Sequence, residues 1–172
     1  MKIAVIGYSG SGKSTLAGKL AEKYGVPVLY LDTVHWLPGW RERDPEEKHR
    51  IVGDFLSRQN GWVIDGNYKK DHYDRRMAEA DTIVFLAFGR LACLFRVIRR
   101  YRQNKGKTRS SMTEGCEERL PLDFLFWVFH QGRTKKRRKV YEDTVKRYTH
   151  KTVVIRNQRE LDHFYRKEGL TL

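Results

Sequence analysis

The sequence is poor in cysteine and in acidic residues, and it has no long hydrophobic run. Its two cysteines, Cys93 and Cys116, form no C-x-x-C and have no neighbouring histidine pair. That argues against a zinc site and fits a reducing compartment. No apolar stretch approaches the length of a membrane span, and the N-terminal apolar run reads as a strand, not as a signal peptide. A cytoplasmic location with no membrane partner is expected. Helix-turn-helix, zinc-finger and RNA-binding consensus patterns are all absent, so nothing points to sequence-specific reading of nucleic acid. There are no internal repeats. Acidic residues number 21 against 35 lysines and arginines, for a formal charge of +14. An imbalance of that size calls for an anionic partner. At 172 residues the chain is long enough for one α/β domain with a proper core and too short for two large ones.

What is present is most informative at the start. Lys2-Ile3-Ala4-Val5-Ile6 is a short apolar run, followed by Gly7-Tyr8-Ser9-Gly10-Ser11-Gly12-Lys13-Ser14. These eight residues fill every fixed position of the phosphate-binding loop pattern. Glycines let the backbone curl so that successive N–H groups point at phosphate oxygens, and the loop feeds a helix whose N-terminus favours anions. Gly7, Ser9, Gly10, Ser11, Gly12, Lys13, Ser14 and Thr15 are thus expected to hold ATP. Within that set, Lys13 reaches the β- and γ-phosphates and the Ser14 hydroxyl meets Mg²⁺. Leu16, Ala17, Leu20, Ala21 and Tyr24 recur at helical spacing behind the loop, and Gly25 is placed to end that helix. No Asn-Lys-x-Asp segment signals guanine specificity. Adenine is the default base, with Asn157 in the loop after the last strand as its contact.

Four more short apolar runs, 26–31, 62–64, 82–86 and 152–155, read as strands buried on both faces of a parallel sheet. Helical segments separate them. Asp44-Pro45-Glu46-Glu47 is a helix start, with Asp44 as cap and Pro45 in the first turn, and its helix is predicted to run to about Arg58. Leu91, Leu94, Phe95 and Ile98 line one face of the next helix. Leu122, Leu125, Phe126 and Phe129 do the same for a third, which can continue through the basic run to about Tyr148. A last helix follows Asn157. The alternation predicts a three-layer α/β/α fold with five parallel strands in the order 2-3-1-4-5. The region 33–60 would form an acceptor-binding helical insert. Gln103 to Arg119 lacks periodicity and reads as a mobile loop, within a basic lid spanning 101–139.

Phosphoryl transfer also needs an acidic group near Mg²⁺ and cations around the transferring group. Asp65 ends an apolar strand and is the candidate metal partner beside Ser14. Asp32 occupies the equivalent place on another strand. Either aspartate could instead cap a turn.

Val63-Ile64-Asp65-Gly66-Asn67-Tyr68 resembles the strand end of adenylate kinases. Phe88-Gly89-Arg90, followed by Arg96 and Arg100, resembles the helix that leads into their lid. The resemblance implies that Asp65 helps organise Mg²⁺, that Gly66 and Asn67 lie at the acceptor, and that Arg96 and Arg100 contact transferring phosphates. The whole chain more closely resembles the kinase-like FlaR-type DNA topology modulation proteins. The carrying residues there are Asp32 with Trp36 and Trp40, the 62–68 segment, and Glu114-Gly115-Cys116-Glu117-Glu118-Arg119. Asn67-Tyr68-Lys69 replaces the Phe-Pro-Arg of adenylate kinases, which puts AMP in doubt as the acceptor.

Between Asp32 and the helix at Asp44, Trp36 and Trp40 could stack on a base, and Arg41 and Arg43 could hold an acidic group. Alternatively the tryptophans are the core of a small helical subdomain. His35 could act as a base. Arg133-Thr134-Lys135-Lys136-Arg137-Arg138-Lys139 carries six cations in seven positions, and three readings stay open for it. It is a lid delivering Arg119, Arg133 and Arg137 to the transferring phosphoryl, a non-specific nucleic-acid surface, or a solvated helix face. The sequence thus supports a kinase that moves the γ-phosphoryl of ATP·Mg²⁺ to a small acceptor. A DNA-associated nucleotide-binding regulator or ATPase is the alternative.

Overall fold

The computed structural model describes residues 1–171. In chain order the elements are β1 (Lys2–Gly7), α1 (Lys13–Tyr24), β2 (Val28–Tyr30), α2 (Leu31–His35), β3 (Trp36–Leu37), β4 (Arg41–Glu42), α3 (Pro45–Arg58), β5 (Trp62–Asp65) and α4 (Tyr73–Glu79). There follow β6 (Thr82–Leu86), α5 (Arg90–Asn104), α6 (Leu122–Phe129), α7 (Lys135–Arg147), β7 (Thr152–Ile155) and α8 (Gln158–Lys167). Five strands form one parallel sheet in the order β2-β5-β1-β6-β7. Counted along the parallel strands alone this is 2-3-1-4-5. The labels run ahead because a two-stranded antiparallel hairpin, β3–β4, intervenes. No sequence pattern announced that hairpin.

Period-two alternation in the strands assigns each face its helices. Ile3, Val5, Val63, Val84 and Leu86 face α1, α5, α6 and α8. Ala4, Ile6, Ile64, Ile83 and Phe85 face α3, α4 and α7. Burying β1 on both sides places its carboxyl end, and hence the loop that follows, at the centre of the sheet edge. There, in open α/β sheets, ligands bind.

Three expectations are corrected. The predicted continuous helix to Tyr148 breaks at Gln131–Arg133, and α7 restarts with the Thr134 hydroxyl capping Arg137 N at 3.4 Å. On α5 the buried residues are Cys93 and Val97, while Leu91 and Phe95 are 62% and 69% exposed. The reason lies in the phosphate loop: Gly10 is so close that a Cβ there would meet Cys93 O at 2.6 Å and Val97 Cγ2 at 2.7 Å. The helix therefore turns its small-residue face, not its bulkiest one, inward. On α6 likewise Val128 is buried, while Leu122, Phe126 and Phe129 are exposed. Among the described residues no helix is long and apolar enough to cross a membrane.

Candidate active site

The phosphate loop runs from β1 into α1, with Gly7, Gly10 and Gly12 at φ 146°, 78° and 96°. A side chain at Gly7 would run into the Leu86 carbonyl, so the close approach of β6 demands glycine there as much as the turn does. Lys13 Nζ donates to Tyr8 O at 3.1 Å, folding back along the loop. Ser14 Oγ donates to Asp65 Oδ2 at 2.6 Å, joining β5 to the start of α1 across the sheet edge. Asp65 is 5% exposed, and its Oδ1 has no partner; the buried Ser11 hydroxyl is also unpartnered. A buried carboxylate oxygen without a donor, beside a serine hydroxyl, suits a hard divalent cation with oxygen ligands. Mg²⁺ fits this donor set. Ser9 and Gly12 are half-buried along the loop, and Thr15 is exposed in the first turn of α1.

Burial pushes the Asp65 carboxyl up to about 6; Lys13 opposes this and Asp32 adds to it. The ordinary value is 3.8, so between these limits the folded protein holds a proton that the unfolded chain has released. This group therefore stabilises below about 4, and the stabilisation is lost as pH rises through about 6. In nucleotide-free protein, Asp65→Asn removes that dependence. The melting temperature of the variant relative to wild type should rise from pH 4 to pH 7 and then level off, as calorimetry can follow. A difference that does not vary with pH would refute the assignment.

The turn after β5 is built on Gly66, Asn67 and Tyr68. Gly66, at φ 134°, donates to Val5 O at 3.1 Å and lies against Leu31. The Asn67 side chain pairs with Gly7 twice, accepting from its N–H at 3.0 Å and donating to its C=O at 2.7 Å. Asn67, read as an acceptor contact, thus clamps the phosphate loop instead. Tyr68 OH donates to Asp32 Oδ1 at 2.7 Å. The backbone of this turn is held by Arg76, which is fully buried. It donates to Asp71 O (3.0 Å), Gly66 O (3.0 Å) and Tyr68 O (2.7 Å).

Asp32 sits in the first turn of α2, two residues past the end of β2 where it was expected, and is half-buried. His35 receives a hydrogen bond from Lys48 Nζ at 3.1 Å and lies against Tyr68 with ring centroids 4.6 Å apart. Burial and Lys48 hold its pKa below the usual histidine value, so the ring is neutral at physiological pH. Trp36 and Trp40 meet edge to face at 5.5 Å across the β3–β4 hairpin. Trp40 has a positive φ of 61°, an uncommon state for a bulky residue. Arg41 is exposed beside Pro38, and Arg43 is bound to Val34 O and Glu47.

Of the stretch 103–119, expected as a mobile loop, Gln103 and Asn104 complete α5 and residues 105–119 form a flap docked onto this hairpin. Thr113 Oγ1 lies 2.6 Å from Trp36 O, and Gly39 N donates to Gly115 O at 3.1 Å. Cys116 Sγ lies 3.2 Å from Leu37 O, and Trp40 Nε1 donates to Glu117 O at 3.2 Å. Arg119 stacks 4.6 Å over the Trp40 ring. Glu118, 6% exposed, bridges Arg100 Nε (2.7 Å) and Arg109 Nε (2.6 Å). Both guanidiniums act electrostatically on the site: Arg100 senses Asp32, and Arg109 opposes the raised pKa of Asp65.

Arg96 leaves Arg100 and turns to the donor side. Its Nη1 donates to Ser11 O at 2.6 Å and its Nη2 to Gln158 at 2.5 Å, and its guanidinium lies 3.9 Å over Phe88. Two placements differ from expectation. The side chain of Asn157 caps α8 through Glu160 N at 2.9 Å and also meets Glu160 Oε1, so it is not free for a base. Arg137 stacks on Trp127 at 4.2 Å, and the cation of that segment that reaches the phosphate loop is Arg133, 3.7 Å over Tyr8. No role was read in the sequence for Arg76 or Arg109, and Tyr68 and Glu118 entered only as residues that carry a resemblance. Only Glu118 carried a signal, as an acid buried in a basic stretch.

No protein-family model matches the chain, and no curated protein matches it. Solved structures do match. A gluconokinase from Sinorhizobium meliloti 1021 is 22% identical, with a TM-score of 0.54 over 97% of this chain and 88% of that one. TT1252 from Thermus thermophilus is 19% identical, with a TM-score of 0.55 over 97% and 95%. A deoxyadenosine kinase from M. mycoides is 14% identical, with a TM-score of 0.50 over 98% of each chain. Such identities speak to the fold alone, a parallel α/β fold shared with these structures.

Proposed function

We propose that this protein is an ATP-dependent kinase that phosphorylates a hydroxyl group of a small cytoplasmic acceptor. The observation that carries the reading is the contact of Ser14 with Asp65 at 2.6 Å, together with Asp32 beside a hairpin onto which the flap docks. A hydrolytic switch does not need a second walled pocket; a kinase needs one, to place its acceptor and to keep water from the γ-phosphoryl. The resemblance to the kinase-like FlaR-type proteins and the kinases among similar solved structures support the same reading without naming the acceptor.

Ser14 and Asp65 would hold Mg²⁺, which when bound neutralises charge on the β- and γ-phosphates. Lys13 exchanges Tyr8 O for those phosphates. Asp32, half-buried and oriented by Tyr68, accepts the proton of the acceptor hydroxyl while that oxygen bonds the γ-phosphorus and the bond to the β–γ bridging oxygen breaks, releasing ADP. Arg100 and Arg109 stand where charge develops, held in place by Glu118. Trp36 and Trp40 wall the acceptor pocket. Because Glu118 and Asp32 together balance Arg100 and Arg109, a neutral polyol or nucleoside suits the site better than a nucleoside monophosphate.

The test is ADP release measured across sugars, nucleosides and nucleoside monophosphates. Stimulation by a neutral hydroxyl compound supports the proposal, and release independent of every acceptor would sink it. The exposed cations of α7 favour a second reading, salt-sensitive binding of DNA. A duplex titration without binding at physiological salt removes it.

A further inference from the structure

Three arginines that the flap does not engage, Arg90, Arg133 and Arg138, line a cleft of about 400 Å³. It lies between the segment that follows β6 and the first turns of α7. None of its lining residues comes from the Asp32–Arg43 region, the Asp65–Tyr68 turn or the flap. One wall is aromatic: Phe85 and Tyr141 stack at 4.7 Å, and Tyr8 meets Tyr141 edge-on at 5.3 Å. Arg133, 3.7 Å over Tyr8, is fixed by Phe88 O at 2.9 Å. Arg90 and Arg138 are exposed at the rim, and among the described residues neither side chain has a hydrogen-bond or ion-pair partner. Glu142 stands beside them on α7.

We infer that this cleft, which meets the phosphate loop at Tyr8, binds a nucleoside phosphate distinct from the ATP held in the loop and from the acceptor beside Asp32. The half-buried Tyr8 and the edges of Phe85 and Tyr141 that line the cleft offer apolar contact for a base. The free guanidiniums of Arg90 and Arg138 suit a phosphate, bidentately if both engage. Glu142 rejects a bare polyanion but accepts hydrogen bonds from a base amino group or a ribose hydroxyl. The volume falls in the range of small-ligand sites, ~300–1,000 Å³. The site also adjoins the donor loop. Tyr8 O receives Lys13 Nζ, and Tyr141 OH lies 3.5 Å from Gly7 O, so an occupant bears on the loop that holds ATP. The nucleotide could be free or part of a single strand whose further phosphates follow Lys135, Lys136 and Lys139, all exposed on α7.

The experiment fills the donor loop of the full chain with a non-hydrolysable ATP analogue and Mg²⁺, then titrates AMP and, separately, a dT pentanucleotide, followed by NMR. No turnover is required, so its outcome is independent of the kinase reading. Saturable shifts at Tyr8, Phe88, Arg90 and Arg138 are expected. The pair Arg90→Glu and Arg138→Glu, both at exposed positions, should weaken binding at least about tenfold, whereas Asp32→Asn should leave these shifts in place. Response to AMP identifies a free nucleotide as the source; response to the pentanucleotide alone identifies a strand. Absence of binding by either probe, shifts confined to the acceptor pocket, or an unchanged affinity in the double variant each overturns the inference.

Discussion

Lys13→Ala should lower the rate of ADP formation by about a hundredfold to a thousandfold, the effect of removing one donor aimed at developing charge, while leaving the fold intact. In the free protein its ammonium makes a single described hydrogen bond, to Tyr8 O, so little folding free energy depends on it. The cations nearest the loop backbone and the acceptor are already engaged. Arg96 is held between Ser11 O and Gln158, and Arg100 and Arg109 are paired with Glu118. A factor of a hundred to a thousand corresponds to about 3–4 kcal/mol of transition-state stabilisation. Steady-state assays with the best acceptor, alongside a melting curve, separate the two quantities. A tenfold loss or less would mean that another group carries the phosphate charge. A large drop in melting temperature would mean that the lysine is structural.

The donor half of this site was legible because its chemistry is local. Loop glycines, Lys13 and Ser14 lie in eight consecutive residues whose geometry is dictated by phosphate, and β1 before them alternates cleanly between two buried faces. Asp65 was legible for the same reason, as the acid that ends a buried strand. The acceptor half was not, because its residues meet only through tertiary contacts. Glu118 finds Arg100 across 18 positions, and Thr113 finds Trp36 across 77. Periodicity misled at α5 and α6. There the bulkiest stripe faces outward, since Gly10 admits only Cys93 and Val97; a hydrophobic pattern records which face is apolar but not what approaches it. Asn157 shows a third limit. Its position after β7 suits a base contact, but an Asn with Glu three residues on is also a capping box, and local hydrogen bonding prevailed.

Arg76→Met should be the most damaging single change outside the phosphate loop. The side chain is fully buried, and burial pulls its pKa down to about 10, where it still carries its charge at neutral pH. Methionine fills most of the volume but leaves the carbonyls of Gly66, Tyr68 and Asp71 without a donor in a dry interior. Each stranded carbonyl costs about 1–3 kcal/mol, and the loss of a buried hydrogen-bonded charge reaches about 3–5 kcal/mol in comparable cases. For a domain of this size that translates to a fall in melting temperature of about 10 °C. Arg76→Lys keeps the charge but cannot span three carbonyls, and it should fall between the two. The consequence for function follows from what the turn holds: Asn67 clamps Gly7, and Tyr68 orients Asp32. At temperatures where Arg76→Lys is still folded, acceptor KM should therefore rise and kcat fall together, because donor loop and acceptor base are positioned by the same four residues. A destabilised variant with unchanged kinetic constants would separate the turn from catalysis and leave Arg76 a purely structural cation.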